Sequence, residues 1–389
     1  MRTLIAAIPL AALTLASPAQ ADFASCAGGL RAEAAHEGVS AATLDAAFSG
    51  LTPDEKVLEF QNAQPEFKTP IWDYLAALVD DERVADGRAA MAQNGDALAR
   101  AEERFGVDRH VLAAIWGVES NFGEQMGKRP LVRSLATLAC EGARASYFRA
   151  ELMATLKIAD RGDIPLDKLN GSWAGAFGQT QFMPSTFLRL AVDLDGDGRR
   201  DIVDSAADAL GSTANYLEKS GWTSGLAWGF EVKLPDAYSG PSGRKAKQPM
   251  SAWAARGIRR IDGGALGEGS AGLLLPAGAD GPAFLVTHNF DVIFSYNAAE
   301  SYALAIAVLS DRLAGRGGIV TPWPTDDPGL SREERRKLQT LLIKRGYDVG
   351  EPDGAIGEKT RQAIADVERK AGMDADGRPS KKVLELLEQ

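Results

Sequence analysis

Histidine and cysteine are scarce in this 389-residue chain, with three of the first and two of the second. His36, His110 and His288 are scattered, and no two sit at a metal-ligating spacing, so histidine-based metal catalysis is not expected. Positive charge is also in deficit: 43 Lys and Arg face 53 Asp and Glu, a net charge of −10. Such a chain has no general electrostatic pull toward nucleic acid or anionic membrane. Beyond residue 21 no apolar run is long enough to suggest a membrane-spanning helix. What remains is a soluble, acidic chain that is 45% hydrophobic, enough for a substantial core.

Residues 1–21 have the pattern of a secretory signal: Arg2, an apolar run from Leu4 to Ala16, and Ala19-Gln20-Ala21 ahead of Asp22. Export is therefore expected. Cys26 raises the possibility of a lipid anchor. However, Phe23-Ala24-Ser25 precedes it, and Ser17-Pro18 and Asp22 separate it from the apolar run, so lipoprotein anchoring is not expected. In an oxidising compartment Cys26 and Cys140 are expected to pair, closing a long loop worth about 4–5 kcal/mol in a chain-entropy description. The alternative is two buried free thiols.

Domain organisation can be read from composition. Residues 22–314 are dominated by helical periodicity. The exception lies between Trp228 and Thr287, where short apolar runs among Gly, Pro and Ser predict a small β-rich subdomain. Within it, residues 239–248 are expected to be mobile. A Pro/Gly-rich linker, 315–330, follows. Residues 331–389 then predict three short helices, marked by Leu338, Leu341 and Leu342, by Ile364 and Val367, and by Val383, Leu384 and Leu387. The fold class is mainly α (α+β), with this three-helix unit as a small add-on module.

Three segments carry chemistry. Asp108 is a helix N-cap, and on the helix that follows Leu112, Ile115, Trp116 and Glu119 share one face. A carboxylate closing an apolar stripe must be paired or have a raised pKa, and a raised pKa is what a general acid near neutral pH requires. The alternative is an exposed or backbone-bonded glutamate. The second segment runs from Asp193 to Asp204. It places Asp193, Asp195, Asp197, Asp201 and Asp204 at positions 1, 3, 5, 9 and 12 of an EF-hand-like loop, with Gly196 at 6 and the Arg199 carbonyl at 7. A structural calcium ion is expected there, with Asp rather than the usual Glu at position 12. Third, Gly171 to Ser185 is rich in glycine, and its Ser172 and Gln181 offer groups of the kind that read sugars.

Taken together, Glu119-Ser120-Asn121-Phe122-Gly123, the Gly171–Ser185 block, the acidic loop and Phe294-Ser295-Tyr296-Asn297 resemble the lytic murein transglycosylase B family, soluble type. Gln64-Pro65-Glu66-Phe67 belongs to the same resemblance, which covers residues 23–314. Residues 331–387 resemble a three-helix peptidoglycan-binding module. The resemblance implies a lysozyme-like helical catalytic domain, and a monomer working on glycan strands in the periplasm without a catalytic cofactor. It also implies a non-hydrolytic cut between N-acetylmuramic acid and N-acetylglucosamine. Glu119 would act first as general acid and then as base, closing the muramic 6-hydroxyl onto its own anomeric carbon. A hydrolytic muramidase and an inactive wall-binding scaffold are the alternatives. The sugar contacts it implies are Ser172, Gln181, Phe182, Tyr216, Tyr296, Asn297 and Tyr302, with Tyr74 and Arg144 beside them; Tyr296 is expected to orient Glu119.

Overall fold

The computed structural model describes residues 18–62 and 69–389. Most of residues 1–21, expected to be a secretory signal, and the Gln64–Phe67 motif lie outside them. Among the described residues the chain is mainly helical, with one small sheet and one two-stranded ribbon. It divides into two compact units. One comprises 1–63, 128–176 and 183–185; the other comprises 64–127, 177–182 and 186–389.

The first unit is a helical assembly built on the Leu131–Glu141 and Ala145–Asp160 pair. Leu131, Leu135 and Leu138, at i, i+4 and i+7, and Phe148, Leu152 and Leu156, at i, i+4 and i+8, are all fully buried there, so the two helices share one apolar seam. The Pro18–His36 helix adds Phe23, Leu30 and Ala34 to the buried set. A disulfide joins it to the pair at Cys26–Cys140. Ser40 caps the Ala41–Phe48 helix, and the Asp160 carboxylate accepts from Thr43 Oγ1 at 2.8 Å.

The second unit is organised around the Arg109–Ser120 helix. Its N-cap is Asp108, whose carboxylate accepts from the His110 backbone N–H at 2.7 Å. Residues 111–117 are all buried, so this helix is enclosed on every side rather than on the single face the sequence periodicity marks. The cause is tertiary: the helices Glu300–Leu313, Asp81–Gln93, Gly95–Phe105 and Ala206–Lys219 all pack on it. A five-stranded antiparallel sheet, Gly229–Lys233 with Ala283–Val286 and Ser270–Leu274 at its centre, forms the β-rich part. The 239–248 segment, expected to be mobile, is instead pinned. Buried Arg244 binds Asp291 at 2.7 Å and lies 3.7 Å from the Phe294 ring centre, and Lys247 binds Asp291 at 2.9 Å.

The three C-terminal helices run Arg332–Lys344, Glu358–Lys370 and Lys381–Glu388. They enclose a core of Leu338, Leu342, Ile364, Val367, Val383 and Leu384. The first opens with a capping box between Ser331 and Glu334. The preceding Pro/Gly segment is not a loose tether. Trp323 packs near Trp72, with ring centres 6.4 Å apart, and Leu330 belongs to the module core. At Gly329 a side chain would meet the Asp73 Cα at 2.6 Å, so only glycine permits that approach.

Candidate active site

Glu119 occupies the penultimate position of the enclosed helix, where the chain is about to turn. The Tyr302 hydroxyl donates to Glu119 Oε1 at 2.6 Å, across 183 residues of sequence. Burial raises the Glu119 carboxyl from about 4.5, the ordinary value for a glutamic acid, to about 7; the Tyr302 hydrogen bond opposes this in part. Burial, together with the nearby Glu119 charge, in turn holds the Tyr302 and Tyr296 phenols well above their usual range. Among the described residues no charged side chain contributes to the Glu119 shift. Among the described residues the site is therefore a carboxylic acid that keeps its proton near neutral pH and has one fixed donor, Tyr302.

Behind the acid is an aromatic stack. Tyr296 lies parallel to Tyr302, 6.3 Å away, and Tyr216 meets Tyr296 edge-on at 4.9 Å. Phe182 sits 6.1 Å from both Tyr216 and Tyr296. Hydroxyls lock the rings: Tyr296 donates to the Thr180 carbonyl and Tyr216 to the Ser295 carbonyl, each at 2.8 Å. The residue expected to orient Glu119 was Tyr296, but Tyr302 makes that bond. Tyr302 sits inside the Glu300–Leu313 helix facing the acid, whereas Tyr296, near the end of His288–Asn297, reaches the glycine-rich turn instead. Phe182 and Tyr302 are 2% and 1% exposed, so they support the site from behind rather than offering a ring face to a ligand.

The other residues singled out in the sequence divide between the two units. Gln181 has a left-handed backbone, φ 53°, and its amide donates to the Gly178 and Met126 carbonyls at 2.8 and 3.1 Å. That shapes the turn leading into Phe182. Asn297 is exposed at the end of its helix, and Tyr74 packs against the core that carries Glu119. Ser172 and Arg144 belong to the first unit. The Ser172 hydroxyl accepts from the Ala176 N–H at 3.0 Å, closing a tight turn, and Arg144 lies exposed over Tyr147 and Phe148.

The turn after Glu119 escaped sequence reading. Asn121, Phe122 and Gly123 all have positive φ, at 50°, 58° and 92°. A phenylalanine in that region is an outlier and needs support from its surroundings. Its ring is seated against Gly117, where a Cβ would come within 2.5 Å of it. Ser120 Oγ accepts from the Gly123 N–H at 2.9 Å and donates to the Gln179 carbonyl. Asn121 and Gly123 suit a left-handed helix end, but nothing in the sequence marks Phe122 for that conformation.

In the acidic loop, carboxylate oxygens of Asp193, Asp195, Asp197 and Asp208 lie within 4.8 Å of one another. Asp208 was not among the expected ligands. It lies in the first turn of the Ala206–Lys219 helix and is buried, accepting from the Leu194 and Asp201 N–H groups at 2.7 and 2.8 Å. Asp201 and Asp204 are outside this cluster. Asp201 instead accepts from the Val203 and Asp204 N–H groups, both at 2.9 Å, and Arg199 turns its side chain toward Asp197 and Asp201. An all-oxygen set of this density fits a hard divalent cation.

Comparison with known proteins adds the family context. The family described as transglycosylase SLT domain matches residues 22–311, and the family described as putative peptidoglycan binding domain matches 331–387. Among curated proteins, membrane-bound lytic murein transglycosylase B of Escherichia coli K12 is 36% identical over 248 residues, covering 62% of this chain and 66% of that one. Among solved structures, SltB3 of Pseudomonas aeruginosa in complex with NAG-anhNAM-pentapeptide superposes with a TM-score of 0.76 at 46% identity, covering 94% of this chain and 99% of that one. The Escherichia coli lytic transglycosylase Slt35 in complex with calcium gives 0.66 at 31% identity, covering 74% and 92%.

Proposed function

The chain belongs to the transglycosylase SLT domain family, and from that premise we propose that it is an exported enzyme cutting the glycan strands of peptidoglycan without water. The bond cleaved lies between N-acetylmuramic acid and N-acetylglucosamine. The observation that carries this reading is Glu119, raised to about 7 and held by Tyr302, with no carboxylate among the described residues contributing to that shift. A hydrolytic glycosidase ordinarily uses two carboxylates, one as acid and the other as nucleophile or as base for water. One carboxyl is sufficient when the substrate supplies its own nucleophile.

The steps balance around that one proton. Glu119 donates it to the glycosidic oxygen as the bond from the muramic anomeric carbon breaks, and the N-acetylglucosamine hydroxyl departs. The Glu119 carboxylate then takes the proton of the muramic 6-hydroxyl. That oxygen bonds to the anomeric carbon, giving a 1,6-anhydro end and restoring the acid. The Tyr302 hydrogen bond stabilises the transient carboxylate and fixes its orientation. Structures of SltB3 with NAG-NAM-pentapeptide and NAG-anhNAM-pentapeptide agree with a substrate and product of this class. The C-terminal module, of a peptidoglycan-binding family, would hold the enzyme on the wall. Mass spectrometry of products from purified peptidoglycan tests the reading. Muropeptides lighter by one water than hydrolytic products support it, whereas reducing ends would make the protein a muramidase. Protein that sediments with the wall yet releases nothing would be a scaffold.

Calcium is the cation proposed for the acidic loop. Asp193, Asp195, Asp197 and Asp208 would supply its carboxylates and brace the start of the Ala206–Lys219 helix, which carries Tyr216. Its role is structural. Calcium at a hundredfold excess over its Kd is expected to stabilise the fold by about 2.7 kcal/mol through mass action. A melting temperature indifferent to both calcium and chelator would remove the site.

A further inference from the structure

Removing the C-terminal module from a wall enzyme would ordinarily cost only its grip on the wall. The contacts of Arg332, the first residue of the module's first helix, point to a second role. Its side chain is only 10% exposed. Its backbone N–H donates to Asp80 at 2.9 Å, and Nη2 binds Asp86 at 2.6 Å. Nη1 donates to the Asn121 side-chain oxygen at 2.9 Å, across 211 residues. Asn121 caps the helix that carries Glu119, two residues beyond the acid, and it is the first of three successive left-handed residues. It is itself buried, 6% exposed, and its amide donates to Glu124 at 2.6 Å. The same helix end is also held by buried Arg83, which donates to the Gly117 carbonyl.

We propose that Arg332 is a positioning residue for Glu119: the module, besides binding the wall, completes the socket that holds the strained turn behind the acid. A left-handed phenylalanine persists only where its surroundings over-determine it, and Asn121 is the point at which the module enters that constraint. A guanidinium fork suits the task because one rigid plane can bind the Asn121 oxygen and the Asp86 carboxylate together; it also places positive charge at a helix C-terminus. If the constraint is lost, the carboxyl remains but is aimed less well. This shows in turnover rather than in substrate binding.

The inference rests on Glu119 being the catalytic acid, and its test uses the full chain. Asn121→Gly removes the acceptor while suiting the left-handed backbone and leaving every docking ion pair in place. Arg332→Lys keeps the charge but cannot span both partners. Turnover of soluble glycan strands is measured by the release of anhydro ends, beside melting temperature and sedimentation with intact wall. For Asn121→Gly the expected result is a fall in kcat of about ten- to a hundredfold with KM within about twofold and melting unchanged. Arg332→Lys should lie between that variant and the parent. Wild-type kcat in a folded Asn121→Gly protein would overturn the proposal, as would a defect confined to KM or to sedimentation. A parent enzyme that releases no anhydro ends would instead overturn the functional reading beneath it.

Discussion

Glu119→Gln is expected to reduce turnover about 10²- to 10⁴-fold, the span that general acid catalysis contributes. The amide is nearly isosteric and can still accept from Tyr302, so the aromatic stack behind it should stand. What it cannot do is donate a proton to the glycosidic oxygen. In the parent enzyme the donor must be protonated in the free state. Because burial places its pKa at about 7, kcat/KM should decline as pH rises through about 7. A variant retaining most of its activity would remove Glu119 from the mechanism.

The same substitution carries a stability signature of opposite sign. The folded carboxyl holds its proton up to about pH 7, whereas in the unfolded chain it releases near its ordinary 4.5. Between those values the folded state binds more protons, so the parent loses stability as pH rises through that window. The full shift corresponds to about 3 kcal/mol, an upper figure because the carboxyl is only partly shielded from solvent. Gln does not titrate. Denaturant unfolding at pH 4 and pH 8 should therefore find the variant gaining on the parent at the higher pH. Equal pH dependence in the two proteins would mean that the recess does not hold a neutral acid. Lower stability in exchange for a poised acid is a familiar compromise at active sites.

How far these features can be read in the sequence depends on how local they are. Asp108 announces its helix because an N-cap acts within three residues, and the three C-terminal helices are legible from Leu338, Ile364 and Val383 because their periodicity is complete within each segment. The short apolar runs between Trp228 and Thr287 likewise give away the sheet, since they form its three central strands, each paired on both sides. The bonds that finish the site are long-range. Tyr302 and Tyr296 are equally good aromatic candidates in sequence, and only the packing of Glu300–Leu313 against the acid helix decides which one reaches Glu119. Asp208 lies beyond the twelve-residue loop pattern and joins it only because its helix folds back over the loop. Arg332 looks like a solvated charge at a helix start. Its burial comes from docking onto Asp80, Asp86 and Asn121, which no local pattern encodes.

Reduction of the Cys26–Cys140 bond is expected to give the largest loss of stability of any single covalent change. The two cysteines are 114 residues apart, and tying them removes about 4–5 kcal/mol of chain entropy from the unfolded state. Folded packing gives little independent insurance. The Pro18–His36 helix contributes Phe23, Leu30 and Ala34 to the core, but several of its described side chains are exposed and most of its other apolar residues are alanines. Cys140 lies near the end of Leu131–Glu141, the helix that pairs with Ala145–Asp160, so the bond fastens the N-terminal helix to the best-packed part of its unit. Melting with and without a thiol reductant should differ by on the order of 10 °C. The Cys26→Ser/Cys140→Ser variant should match the reduced protein and show no further response to reductant. If instead the parent melted identically in both conditions while free-thiol labelling confirmed reduction, the packing of Phe23 and Leu30 would suffice to hold the helix, and the crosslink would be dispensable to the fold.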